Sequence, residues 1–119
     1  MENKDTKAAE TKDTKAPEVK DNKTVYTHKL DKPFKYQEKE YHEIKFDFGA
    51  LSGNDALAVE EELEAINKYI LAPETSKAYQ SRMAAKAAGV PNDLLEALPL
   101  QDFNRITNAA RNFLVGQEL

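Results

Sequence analysis

Large apolar residues are scarce through residue 24 and periodic after it. Val25 to Leu30 is rich in β-branched and aromatic side chains and predicts a first strand. Pro33 is expected to break the ladder, marking a turn or a sheet edge. From Tyr41 to Phe48 the pattern alternates. His42, Ile44, Phe46 and Phe48 take one face, and Glu43, Lys45 and Asp47 the other, which predicts a half-buried second strand. Gly49 to Gly53 reads as a linker. The period then changes. Val59, Leu63, Ile66 and Ile70 fall on one stripe of a helix expected from about Asn54 to about Ile70, with Ser52 and Asp55 placed as a capping box.

Beyond Pro73 the run Lys77 to Leu114 predicts three more helices joined by short turns marked by proline. Thr75 or Ser76 is placed to cap the first, which carries Tyr79, Met83 and Ala87 on one stripe and closes at Gly89. Asn92 is placed to cap a short helix through Ala97. Pro99 opens the last helix, with Phe103, Ile106, Ala110, Phe113 and Leu114 as its buried stripe, and Gly116 ends it. The predicted fold is α+β: an N-terminal two-stranded β-hairpin packed on a small bundle of three to four helices. A hairpin is not stable alone, so its apolar face needs a helix to cover it.

Composition divides the chain. Residues 1–24 hold six Lys and six acidic residues, and Asp5-Thr6-Lys7-Ala8 recurs as Asp13-Thr14-Lys15-Ala16. Such a segment buries too little surface to offset its ordering entropy and is expected to be a disordered charged tail. Residues 25–119 are then the single folded domain. The net charge of −4 comes from the middle of the chain, where residues 25–70 carry ten acids against six Lys. No segment is net basic, which argues against an electrostatic nucleic-acid footprint. The absence of cysteine excludes disulfides, thiolate metal sites and thiol nucleophiles. No apolar run approaches the ~18 residues of a membrane span. No apolar stretch follows Met1, so a secretory signal is not expected.

Candidate chemistry is sparse. His28 and His42 lie on different predicted strands without metal-ligand spacing, so ordinary strand histidines are expected and no metal or cofactor. Asp102 falls in the first turn of the last helix, where an acid complements exposed N–H groups. No base stands at a catalytic spacing from it, and no enzyme activity is expected. The acids of Glu60 to Glu64 read as a solvated helix face. Most large residues of the last helices are needed for the core. A partner surface would use those near a helix end or stripe edge: Tyr79, Met83, Leu95 and Leu114.

Three pieces of the chain carry a family resemblance: Leu51-Ser52-Gly53-Asn54-Asp55 at the entry to the first helix, Ala84 to Val90, and Leu98-Pro99 with Asp102-Phe103 ahead of Phe113-Leu114. In this order, over roughly residues 25–115, the chain resembles the phage tail assembly chaperones, the group of small tail assembly proteins of Mu-like and P2-like contractile-tailed phages. The resemblance implies a non-enzymatic protein that binds the tape measure protein, keeps it soluble, and helps recruit tail tube subunits. It implies work in the host cytoplasm and absence from the mature virion. It also implies that a longer, C-terminally extended frameshift form of the same protein can exist. A structural component of the tail or of the head–tail joint is the alternative. The charged N-terminal tail is longer than the family's usual strand start. The acidic middle and an open hairpin edge leave homo-oligomerisation open.

Overall fold

The structure, a computed structural model, describes residues 24–69 and 71–116. It is the expected α+β arrangement. Strands β1 (Val25–Tyr36) and β2 (Lys39–Asp47) form an antiparallel hairpin, followed by helices α1 (Gly53–Ala65), α2 (Lys77–Ala88), α3 (Asn92–Ala97) and α4 (Leu100–Leu114). Single 3₁₀ turns at Phe48–Ala50 and Pro73–Thr75 lead into α1 and α2. The expected disordered tail lies outside the described residues except for Thr24, as does Ile70, the last member of the predicted α1 stripe.

The hairpin is longer than its apolar pattern suggests. Pro33 does not end β1. Lys29 pairs with Glu43 and Phe34 with Tyr41, so the four residues Leu30 to Pro33 oppose His42 alone. A bulge of this kind leaves residues out of the ladder, and a proline placed there forfeits no ladder hydrogen bond. The strands turn at Gln37-Glu38, where Gln37 has φ 57, the sign that tight hairpin turns require.

α1 ends about a turn earlier than its stripe predicts. Val59 and Leu63 are buried, but Ile66 is half exposed. Asn67 takes φ 62, its N–H donates to the Glu64 carbonyl, and the Lys68 N–H donates back to the Leu63 carbonyl. That pair of bonds is a Schellman stop, with asparagine in the left-handed position usually held by glycine. At the other end the Ser52 N–H donates to the Asp55 carboxylate at 2.8 Å, as the capping box requires.

α2 begins at Ser76, whose hydroxyl accepts from the Tyr79 N–H at 3.2 Å. It ends in the same Schellman geometry at Gly89, φ 70, with Val90 N–H donating to the Ala85 carbonyl. Asn92 is not the cap of α3. Pro91 holds the N-cap position, and Asn92 is turned to accept from the buried Ser81 hydroxyl and to donate to Glu96. Pro99 likewise sits at the N-cap of α4, one place before the first turn. Each shift moves a boundary by one residue while leaving the element in place.

Two apolar clusters meet on α2. The larger joins Ile44, Phe46 and Phe48 of the hairpin side to Ala84 and Ala85 of α2, to Leu94, Leu95 and Leu98, and to Ile106, Ala109 and Ala110 of α4. The alanines let α2 and α4 approach closely. The aromatic run continues outward, with Phe46 beside Phe48 at 6.1 Å and Phe48 stacked on Phe113 at 5.4 Å between centroids. The smaller cluster packs Val59 and Leu63 of α1 against Tyr79 and Met83 of α2. α1 is thus held by a separate and thinner core.

Candidate functional site

Three polar side chains form a chain between the hairpin and α4. The Tyr26 hydroxyl lies 2.8 Å from His28 Nδ1, and His28 Nε2 lies 2.7 Å from Asp102 Oδ1. Strand alternation places Tyr26 and His28 on the same face of β1, and the first turn of α4 places Asp102 beneath them. Both His28 and Asp102 are buried, at 2 % and 4 % exposure. Burial pushes the Tyr26 phenol above the ordinary tyrosine range; the Arg105 charge opposes that shift and Asp102 adds to it. In the neutral tautomer that satisfies both contacts, the imidazole donates from Nε2 to the carboxylate and accepts a hydrogen bond from the phenol O–H at Nδ1. Buried polar groups need such partners. The arrangement ties β1 to α4.

Asp102 therefore does more than complement helix N–H groups. The sequence shows its position in the first turn, but not a partner 74 residues away. His42 is exposed and pairs with Glu40 on its own strand at 2.9 Å. Among the described residues, no group of three His, Asp or Glu side chains is close enough to hold a metal, and no helix is long and apolar enough to cross a membrane.

The four residues proposed as partner contacts have different surroundings. Tyr79 and Met83 are 2 % and 4 % exposed and belong to the smaller cluster, with Leu114 partly buried against it. Leu95 is fully buried in the larger one. The fold brings Tyr79, Met83 and Leu114 together and keeps Leu95 apart from them. In this conformation Tyr79, Met83 and Leu95 are core residues: α1 closes over the α2 face that carries Tyr79 and Met83, and Leu95 of α3 lies inside the larger cluster. The Tyr79 phenol is pushed up, first by burial and then by the charge of Glu60.

Apolar side chains are exposed just past the Schellman stop of α1. Tyr69 and Leu71 are each 98 % exposed, and Ile66 is half exposed. Tyr69 and Leu71 line a groove of about 290 Å³ together with Glu60, Glu64, Lys68 and Pro73. A second groove between Glu64, Asn67, Lys68 and Tyr69 adjoins it. α1 carries Asp55, Glu60, Glu61, Glu62 and Glu64 and no basic residue. Apolar side chains rimmed by acids are a surface suited to protein contact. Sequence reasoning missed it because Ile66 and Ile70 continue the Val59–Leu63 stripe; the one available signal was Asn67, a residue that tolerates the left-handed conformation.

Residues 27–115 match the family described as phage tail assembly chaperone proteins, E, or 41 or 14. That match covers most of the chain, from early in β1 to just past α4, and the chain belongs to this family. No curated protein and no solved structure matches it. Membership gives the protein a chaperone role in tail assembly and implies a non-enzymatic one.

Proposed function

We propose that this tail assembly chaperone binds the tape measure protein, keeps it soluble, and helps recruit tail tube subunits, acting in the host cytoplasm and leaving before the virion is complete. Family membership supplies the assembly role. The observation that carries the client reading is the exposure of Tyr69 and Leu71 beside the acidic α1. A tape measure protein presents long apolar helix faces before the tube forms. A chaperone must cover such faces and release them later. Apolar side chains already exposed in the free protein can do so without unfolding either core. The grooves are rimmed by Glu60, Glu64 and Lys68, which suits a contact of modest affinity that tube subunits can displace.

The test is co-expression of the full chain with the tape measure protein encoded in the same phage. The expected result is a larger soluble fraction of the client and its co-purification with this chain. Equal client solubility with and without the chaperone, and no association, would overturn the proposal. A stoichiometric band of this protein in purified virions would favour the structural reading instead.

A further inference from the structure

Among the described residues the outer edge of β2 is open: the sheet has two strands, and β2 pairs with β1 alone. Among the described loop, turn and cap hydrogen bonds of the backbone, none reaches residues 39–46. Residues 39–45 line a continuous groove of about 460 Å³ that also takes in Ala88 and Val90 at the end of α2. A strand edge beside a small apolar surface has the form of a strand-addition site.

We propose that the strand added there is β2 of a second copy, paired antiparallel about a two-fold axis at Tyr41. Symmetry limits the choices. A two-fold axis normal to the sheet keeps each side chain on its own face, so facing residues must be an even number of positions apart. Axes at Glu40 or Glu43 set that glutamate against its own copy. An axis at His42 sets Lys39 against Lys45. An axis at Ile44 sets His42 against Phe46 and Tyr41 against Asp47. The axis at Tyr41 places Lys39 opposite Glu43 of the second copy and Glu40 opposite His42 of the second copy, each pair occurring twice. Opposite charges facing each other across strands, as Lys39 and Glu43 would, stabilise a pairing, and like charges oppose it. Lys39, Glu40, His42 and Glu43 are all exposed. The Lys39 ammonium sits 5.1 Å from the Tyr41 ring centroid, so cation and ring already lie together on the face where Glu43 of the second copy would arrive. This assembly does not depend on which client the chaperone carries.

Sedimentation of the full chain should give twice the 13.4 kDa chain mass at high concentration. Glu43→Lys should weaken association about tenfold or more, since it places two lysine pairs face to face. It also sets a lysine opposite Lys29 inside the hairpin, so a second variant is needed. Lys39→Glu combined with Glu43→Lys keeps that internal change but restores the intermolecular pairs, and should recover the dimer. Because the chain has no cysteine, Tyr41→Cys is a clean reporter. Facing residues in an antiparallel pair lie about 4.5–5.5 Å apart between Cα atoms, within disulfide reach. Mild oxidation should cross-link this variant and leave Glu38→Cys without an intermolecular disulfide. A wild-type chain that stays monomeric leaves the edge to a strand of some other protein and overturns the proposal. So does a dimer that neither responds to the charge swap nor cross-links through Tyr41→Cys.

Discussion

His28 Nε2 lies 2.7 Å from Asp102 Oδ1, and this contact joins the first strand to the last helix across 74 residues of chain. Both groups are buried, so removing Asp102 leaves His28 Nε2 unpaired, and removing His28 takes this partner from the carboxylate, each away from water. Asp102→Ala should destabilise the fold by about 1–3 kcal/mol, and Tyr26→Phe by about 0.5–1.5 kcal/mol. Urea midpoints at constant m-value would measure both. An Asp102→Ala variant as stable as wild type would show that the contact is not needed to hold β1 on α4.

The buried Tyr79 phenol and the half-buried Tyr26 phenol make stability depend on alkaline pH. Tyr26 and Tyr79 are both raised from the ordinary value of 10.0, chiefly by burial. Below that value both phenols are protonated in the folded and unfolded chain, and they contribute no pH dependence. Above it the unfolded chain loses its phenol protons first and is thereby favoured, so stability falls as pH rises toward the folded-state values. Denaturant midpoints across this range should decline for wild type. They should decline less for Tyr79→Phe and Tyr26→Phe, and phenolate absorbance should show late-titrating tyrosines in the folded protein.

Phe46 should be the costliest aromatic to remove. It is fully buried, with Tyr26 and Phe48 at ring distances of 6.0 and 6.1 Å. Phe46→Ala should cost about 3–5 kcal/mol, read from thermal or urea unfolding. Leu63→Ala should cost about 2–5 kcal/mol, and it acts on the separate α1 cluster. Hydrogen exchange should then show α1 opening more readily than β2 and α4.

What was legible in the chain was periodicity; what was hidden was contact. The alternation of Ile44, Phe46 and Phe48 and the stripe of Val59 and Leu63 survive intact, because burial of one face dictates both patterns. Ser76 and Gly89 act as cap and stop because their chemistry suits those positions whatever the tertiary setting. The length of β1 was not legible, because a bulge that shelters Pro33 depends on β2 and leaves no local mark. The early end of α1 was not legible either. Ile66 and Ile70 extend the stripe, while Asn67 stops the helix through its backbone. The candidate surface was hidden for both reasons. Tyr79 and Met83 look like an available face until α1 is placed over them, and Tyr69 looks unremarkable until Asn67 turns the chain outward.

Asn67 therefore makes a prediction of its own. A left-handed residue with a branched side chain costs about 1–2 kcal/mol, so Asn67→Val should destabilise α1 by that order. Asn67→Gly should be neutral or slightly stabilising, since glycine reaches φ 62 without penalty. Helical circular dichroism and exchange rates in α1 would separate the two.

The exposed pair Tyr69 and Leu71 gives the most direct functional test. Both side chains are 98 % exposed, so replacing them removes little packing. Tyr69→Ser combined with Leu71→Ser should change stability by no more than about 0.5 kcal/mol per site. If these side chains cover the client, the double variant should fold normally and yet lose much of its ability to keep the tape measure protein soluble. Leu100 supplies the control. It is 71 % exposed at the start of α4, away from the α1 groove residues in sequence, and Leu100→Ser should leave client solubility unchanged. The acids of α1 should contribute through charge. Glu60→Lys with Glu64→Lys should weaken a client helix whose apolar face is flanked by basic residues, and salt should narrow the difference from wild type. Equal client recovery by wild type and the Tyr69/Leu71 variant would place the contact elsewhere on the protein. Loss of recovery in the Leu100 variant as well would point to general apolar exposure rather than a site beside α1.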